Sequence, residues 1–156
     1  MGLDKKNEDY LLMYDSVKAL LEGEQDWIAN LANISALLYL YLENVNWVGF
    51  YLLKESELVL GPFQGKPACI RIEVGSGVCG TAVKEKKAII VDDVDQFKGH
   101  IACDTDSKSE IVIPLVKKGE IIGVLDIDSP LLNNFNEVDK IYLEKMVRYL
   151  IDTSNI

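Results

Sequence analysis

The order of hydrophobic patterns along the chain constrains the fold more than any other feature. Apolar residues recur at helical spacing over about 9–21 and 27–42 near the N-terminus, and again over about 136–151 near the C-terminus. Short apolar runs of the kind that form strands lie between these segments. Helices at both ends with strands between them predict an α+β domain, in which a mainly antiparallel central sheet is flanked by the N- and C-terminal helices.

The central part of the chain divides into six strand-like runs, one short helix and one long polar loop. The predicted strands are 47–53, 58–63, 69–74, 88–91, 110–116 and 121–127, the helix is 78–85 and the loop is 92–109. The last two runs flank Lys117-Lys118-Gly119-Glu120 and predict a hairpin. We therefore expect a single domain over 1–156, with a helical segment (1–43), a sheet with its loops (46–129) and a final helix (136–151).

Composition excludes several classes of function. The chain has 156 residues and a net charge of -9, which argues against partners such as nucleic acid and anionic membranes. No apolar run approaches the roughly 18 residues that a membrane span needs, and the N-terminus lacks the apolar stretch of a signal peptide. We therefore expect a cytoplasmic protein. Its three cysteines, an odd number, should stay reduced at rest, apart from a transient catalytic disulfide.

The three cysteines occupy different settings. Cys103 lies in the polar loop, three residues after the only histidine, His100, and a thiol in a loop suggests redox chemistry because free cysteine is usually buried. Cys79 begins a predicted helix, where free backbone N–H groups favour a thiolate. Cys69 begins a predicted strand and would pass as a core residue. Local chemistry does not choose cleanly among them, and it favours Cys79 as the reactive thiol.

The first predicted strand has one unusual face. Trp47, Gly49 and Tyr51 share this face, while Val48 and Phe50 lie on the opposite face, which is typical of a core. Two large aromatic side chains on either side of a glycine leave a gap. The gap indicates either an ordinary half-exposed sheet face or a slot for a small, partly apolar ligand.

Two aspartates on another predicted strand also share a face. Asp126 and Asp128 should repel each other there, so a cation is expected nearby: a basic side chain, a metal ion or the ammonium group of a ligand. Glu110 is predicted on the neighbouring strand. Three carboxylates without a spaced set of His or Cys residues are a weak metal signal. A solvated strand end is the alternative.

These segments together resemble the free methionine-(R)-sulfoxide reductases, a family built on the GAF fold. The matching stretches are NWVGFY at 46–51, LGPFQG at 60–65, PAC at 67–69, GVCGTA at 77–82, GHIACD at 99–104, SEIV at 109–112 and GVLDIDS at 123–129. A generic GAF domain would share the hydrophobic pattern but not three cysteines in these settings.

The resemblance implies roles for individual residues and overrides the local preference for Cys79. It makes Cys103 the nucleophile that attacks the sulfoxide, Cys69 the resolving cysteine that forms a disulfide with it, and Cys79 an auxiliary thiol. The other implied site residues, all substrate-binding, are Trp47, Tyr51, Glu110, Asp126 and Asp128. Free methionine-(R)-sulfoxide is the implied substrate and thioredoxin the implied reductant, with no metal or organic cofactor.

The alternative function is a GAF-type binding module that senses a small molecule or the redox state. A cyclic-nucleotide sensor would need basic or N–H-rich surroundings for phosphate, whereas these surroundings are acidic. A pure redox switch would need the thiols but not the aromatic residues and carboxylates. The sequence does not fix the oligomeric state, and a homodimer stays open.

Overall fold

Four α-helices and six β-strands make up the part of the chain that the computed structural model describes, residues 2–101 and 103–156. The helices are α1 (Gly2–Leu21), α2 (Trp27–Tyr41), α3 (Gly77–Glu85) and α4 (Glu137–Thr153). The strands are β1 (Trp47–Lys54), β2 (Glu57–Gly65), β3 (Arg71–Glu73), β4 (Ile89–Val91), β5 (Ser109–Lys117) and β6 (Glu120–Ser129).

The six strands form one sheet in the order β3-β2-β1-β6-β5-β4, and every neighbouring pair is antiparallel. The predicted α+β architecture with an antiparallel sheet is therefore confirmed. The predicted hairpin is β5–β6, in which Lys117 pairs with Glu120 around a two-residue turn. Lys118 and Gly119 both have positive φ angles, as a type I′ hairpin turn requires.

One face of the sheet packs against α1, α2 and α4. Val48 and Phe50 of β1 are fully buried in this core, as their alternation predicted. A buried carboxylate joins the first and last helices: Asp139 caps the start of α4 and accepts a hydrogen bond from the Tyr10 hydroxyl at 2.6 Å. This layer supports the sheet from behind and leaves the opposite face for the site.

The opposite face is covered by α3 and by two loops, the β2–β3 loop (66–70) and the β4–β5 loop (92–108). Trp47 and Tyr51 lie here and are only 3% and 2% exposed. The interpretation of this face as half-exposed is therefore wrong. Its cover is made by polar loop segments, which do not show the periodicity of packing elements.

Most element boundaries differ from the sequence-based expectation by one or two residues, and two differences are informative. α1 begins at Gly2 rather than near residue 9, because its first turns are largely exposed and carry no apolar periodicity. β3 contains only Arg71–Glu73, since only these residues pair with β2, and Cys69 lies before it in a loop. Within the described residues, the helices lack the combination of length and hydropathy needed to cross a membrane.

Candidate active site

Register across the sheet brings the predicted polar and aromatic residues into adjacent rows. Asp128 on β6 lies opposite Trp47 on one side and opposite Glu110 on the other. Asp126, two residues earlier on the same face, lies opposite Gly49. The expectation that Glu110 neighbours the aspartates is therefore confirmed, and the three carboxylates form one cluster beside the aromatic residues.

Gly49 allows the Trp47 indole to lie across β1. A Cβ atom at Gly49 would come within 2.6 Å of the Trp47 ring and within 2.3 Å of Phe63 Cβ, so no larger residue fits. Trp47 stacks on Phe63 and on Tyr51, with ring centroids 5.3 and 5.9 Å apart. The predicted gap is thus filled by the indole itself, and the aromatic side chains form a wall of the site rather than a slot between two rings.

The polar ends of the same aromatic side chains hold the β2–β3 loop in place. Trp47 Nε1 donates a hydrogen bond to the Lys66 carbonyl at 3.1 Å. The Tyr51 hydroxyl donates to the Cys69 carbonyl at 2.8 Å. Burial raises the pKa of Tyr51, with Asp126 as the next cause, so the hydroxyl keeps its proton and remains a donor. This positioning role was not indicated by the sequence pattern.

Cys69 and Cys103 form a disulfide, with their Cα atoms 5.6 Å apart. Cys69 comes from the β2–β3 loop and Cys103 from the β4–β5 loop, so the bond joins the two loops that cover this face. Cys103 is half-buried in its loop. The two thiols that the family resemblance paired are therefore adjacent in the fold.

Polar contacts also anchor the β4–β5 loop to the residue before β1 and to the β2–β3 loop. Asn46 Nδ2 donates to Asp104 Oδ2 at 3.2 Å and to Ser107 Oγ at 3.3 Å. Lys66 forms an ion pair with Asp106 at 2.6 Å on the surface. Asn46 and Ser107 were not predicted as site residues, because single polar residues in loop-like segments carry no distinguishing pattern.

Cys79 lies in the first turn of α3 and takes no part in the disulfide. It is buried, with its Sγ atom 3.9 Å from Glu110 Oε1. Burial, followed by the nearby carboxylates of Asp126 and Glu110, raises the pKa of Cys79 well above the usual value of a thiol. The expectation of a thiolate at this helix start is therefore wrong, because burial and like charge outweigh the helix dipole.

The carboxylate cluster favours protonated acids. Burial raises the pKa of Glu110 well above its usual range, and the charges of Asp126 and Asp128 raise it further. Burial has the same effect on the pKa of Asp128, again assisted by Asp126. Burial also raises the pKa of Asp126. Close acidic groups in an apolar setting cannot all ionise together, so the cluster favours states in which at least one carboxyl keeps its proton.

The two aspartates lack a basic partner in the described part of the chain, since no lysine or arginine there forms an ion pair with either. The Oδ1 atom of each aspartate is buried without a hydrogen-bond partner. Asp126 is only 6% exposed, so the alternative of a solvated strand end is wrong. Buried acceptors of this kind are normally satisfied, which points to a ligand that donates hydrogen bonds.

The same cluster has donor atoms that suit a metal ion. Ligand atoms of Cys79, Glu110 and Asp126 lie within 4.8 Å of one another. One sulfur and two oxygens form a set that a borderline-soft ion such as zinc accepts. His100 Nε2 is 3.9 Å from Glu110 Oε2 at the edge of this set.

These groups surround one small cavity of about 40 Å³ under the disulfide. Its lining includes all but one of the residues that the resemblance assigned to the site, namely Trp47, Tyr51, Cys79, Cys103, Glu110, Asp126 and Asp128. Cys69 joins the site through its bond to Cys103. The arrangement combines a dithiol–disulfide couple, acidic proton donors and unpartnered acceptors beside an aromatic wall.

Comparison with known proteins gives concordant results. A family model described as a GAF domain matches residues 20–150. The free methionine-R-sulfoxide reductase of Escherichia coli is 54% identical over 145 residues, which cover 93% of this chain and 88% of that protein. The GAF-like fold expected from the motifs is thus confirmed.

Two solved structures extend the comparison. The reduced form of fRMsr of Staphylococcus aureus superposes with a TM-score of 0.90 at 54% identity, covering 92% of this chain and 94% of that one. Free methionine-R-sulfoxide reductase from Neisseria meningitidis, solved in complex with its substrate, gives a TM-score of 0.89 at 44% identity and covers 92% and 87% of the two chains.

Proposed function

Since this chain belongs to the GAF-fold family of free methionine-R-sulfoxide reductases, we propose that it reduces free L-methionine-(R)-sulfoxide to methionine. The observation that carries the proposal is the Cys69–Cys103 disulfide, whose Cys103 lines the same cavity as a buried carboxylate cluster. A thiol couple supplies two electrons, and the cluster supplies the proton and the binding charge that this substrate requires.

In the proposed reaction the Cys103 thiolate attacks the sulfoxide sulfur. The sulfoxide oxygen is protonated and passes to the cysteine sulfur, which releases methionine and leaves Cys103 as a sulfenic acid. The Cys69 thiol then attacks this sulfenic sulfur, so that water leaves and the Cys69–Cys103 disulfide forms. Methionine sulfoxide is reduced by two electrons, and the two thiols are oxidised by two.

Glu110 is our assignment for the proton donor. It is buried, and its raised pKa keeps it neutral at a pH where an exposed carboxyl is ionised. A carboxylic acid held neutral can donate to the sulfoxide oxygen as negative charge develops there. Cys79, protonated for the same physical reason, then acts as an auxiliary group beside Glu110 rather than as the nucleophile.

Asp126 and Asp128 are assigned to the substrate's ammonium group. Each has a buried oxygen without a hydrogen-bond partner, and an ammonium brings three donors and the opposite charge. The aromatic wall formed by Trp47 and Tyr51 contacts the methyl and sulfur end of the substrate. A methionine sulfoxide within a peptide has no ammonium, so the same contacts account for selectivity toward the free amino acid.

Regeneration needs a dithiol, which we assign to thioredoxin, and we place the protein in the cytoplasm, where such a reductant keeps thiols reduced. A homodimer is the assembly that we propose to test, by analytical ultracentrifugation of the purified protein. The enzymatic assignment does not depend on that result.

The function is tested by turnover with dithiothreitol on three substrates. We expect reduction of free methionine-(R)-sulfoxide and rates at least tenfold lower for the S epimer and for the N-acetylated R sulfoxide. Cys103→Ser should abolish turnover, because a serine hydroxyl is a far weaker nucleophile. Cys79→Ser makes the same chemical change at a cysteine outside the disulfide and should retain methionine release.

Two outcomes would contradict the proposal. Equal rates on the free and N-acetylated substrates would contradict the assignment of Asp126 and Asp128 to the substrate's ammonium group. Loss of single-turnover methionine release in Cys79→Ser, with retention in Cys103→Ser, would reassign the nucleophile.

A GAF module that senses redox state is the alternative function, and the disulfide favours it. The unpartnered acceptors of Asp126 and Asp128 have no task in such a module.

A further inference from the structure

Two exposed isoleucines lie close along the chain to the two cysteines of the disulfide. Ile70 directly follows Cys69 and is 67% exposed. Ile101 is 38% exposed, and its carbonyl accepts a hydrogen bond from the Cys103 backbone N–H at 3.1 Å. Each sulfur of the disulfide therefore has an exposed apolar side chain at most two residues away along the chain.

Both isoleucines are held in these positions by the fold. The Ile70 carbonyl accepts a hydrogen bond from Leu60 N–H of β2 at 2.9 Å, which fixes the backbone directly before β3 while the side chain stays exposed. The Ile101 side chain packs on α3 at Gly77, where a Cβ atom would lie 3.2 Å from it. Single exposed apolar residues are common on proteins, but here each cysteine of one reactive bond has such a residue, held by the fold, within two positions along the chain.

The chemistry of the disulfide determines what this surface must accommodate. Reduction by thiol exchange requires an attacking thiolate to approach one sulfur, so a protein reductant must bring its own surface against the residues around the bond. Apolar contacts stabilise such an encounter by removing surface from water, independently of charge. This matters for a chain with a net charge of -9, which would repel an acidic partner.

We propose that Ile70 and Ile101 form the docking surface for a protein dithiol that reduces the Cys69–Cys103 disulfide. The inference rests on the proposed function, because it takes this disulfide to be the product of each turnover. A thiolate of the reductant attacks the Cys69 sulfur, which is adjacent to Ile70, and the Cys103 thiolate leaves. The second thiol of the reductant then attacks the mixed disulfide, releases the Cys69 thiolate and becomes oxidised to a disulfide.

The test compares a protein dithiol with a small one on the same variants. In Ile70→Glu, kcat/KM for thioredoxin should fall about tenfold or more, while turnover with dithiothreitol stays within twofold of the original protein. Ile101 also lines the cavity, so the effect of Ile101→Glu is judged by the ratio of its thioredoxin rate to its dithiothreitol rate, which should fall about tenfold or more. Ile28→Glu and Ile141→Glu are matched controls, since these isoleucines are 54% and 48% exposed on α2 and α4. Both controls should retain the full rate with thioredoxin.

A thioredoxin variant that lacks its second thiol identifies the sulfur that is attacked. It should accumulate as a mixed disulfide on Cys69, mapped by mass spectrometry of the linked peptides. Unchanged thioredoxin kinetics in both isoleucine variants would overturn the docking surface, as would equal losses in the controls. Trapping on Cys103 would overturn the assignment of the attacked sulfur. Absence of turnover with dithiothreitol in the original protein would instead contradict the proposed function.

Discussion

At the scale of single residues, the site keeps three acids where a stable core would have none. Burial raises the pKa of Glu110, Asp126 and Asp128, and each raised pKa measures how much the surroundings disfavour the charged form. The fold is therefore less stable than it would be with neutral residues at these positions. In the function that we propose, these acids serve as the proton donor and as the binding site for the ammonium group.

Glu110→Gln should weaken the pH dependence of the protein's stability and should also lower its activity. Between the unfolded pKa of Glu110 and its raised folded pKa, the folded protein binds more protons than the unfolded chain. Stability contributed by this group is therefore present at low pH and is lost as pH rises through the folded pKa. The variant should lose less stability than the original protein between about pH 5 and pH 8 in urea unfolding. Its methionine release should fall at least tenfold.

The control for this prediction is Glu120→Gln, which makes the same change at an exposed position on β6. It should leave both the pH dependence of stability and the activity unchanged. If Glu110→Gln unfolds with the same pH dependence as the original protein, Glu110 is not the group that takes up the proton. If it also keeps full activity, the donor must be another carboxyl.

Chemical arguments from the sequence selected the residues that meet at the candidate site, but they did not identify which thiol takes part in the disulfide. Asp126 and Asp128 do share one face of β6, because strand alternation fixes which side chains point the same way, and the ligand that their repulsion indicated belongs to the proposal. The local argument for Cys79 failed because its depth in the fold cannot be read from the pattern of α3. Pairing of Cys69 with Cys103 came only from the family resemblance, since it depends on two loops that meet in space.

At the scale of elements, β1 serves both steps of the proposed reaction, the release of methionine and the formation of the disulfide. One face of this strand packs into the helical core through Val48 and Phe50. The other carries Trp47 and Tyr51, whose polar atoms hold the loop that presents Cys69. This strand, which lies at the centre of the sheet, thus holds the backbone on either side of the Cys69 loop through two side-chain hydrogen bonds.

Tyr51→Phe should therefore slow the second chemical step more than the first. The ring keeps its stacking contacts, but the Cys69 carbonyl loses its donor, and one hydrogen bond is worth about 1 kcal/mol, or about fivefold. Quench-flow measurements should show an unchanged burst of methionine, followed by disulfide formation about fivefold slower. Tyr39→Phe, at an exposed position on α2, is the control and should change neither step. A slower burst with normal disulfide formation would contradict the positioning role of Tyr51.

Elements with a clear hydrophobic periodicity could be predicted from the sequence, whereas segments without one could not. The hairpin β5–β6 and helix α4 follow their hydrophobic patterns closely, because burial on one face imposes the period of each element. The β4–β5 loop appears in the sequence only as a polar stretch. Its contacts with Asn46 and Lys66 are made by residues that are equally common in solvated loops.

At the scale of the whole molecule, the sheet separates a structural layer from a chemical one. Helices α1, α2 and α4 bury the larger core behind it, and the smaller core in front contains the site. The disulfide spans a sequence separation of 34 residues, which includes β3, α3, β4 and most of the β4–β5 loop. This bond therefore closes a covalent loop that contains much of the front layer.

The oxidised protein should accordingly resist unfolding more than the reduced protein. A cross-link over a loop of this size restricts the unfolded chain and adds about 4 kcal/mol in the loop-entropy model. Urea unfolding with and without dithiothreitol should show a higher midpoint for the oxidised form. Cys79→Ser should keep this difference, because Cys79 is outside the disulfide, and Cys69→Ser should abolish it. If the midpoint still differs between oxidised and reduced Cys69→Ser, another pair of thiols must form the cross-link. If oxidised and reduced forms of the original protein have equal midpoints, the bond does not measurably restrict the unfolded chain.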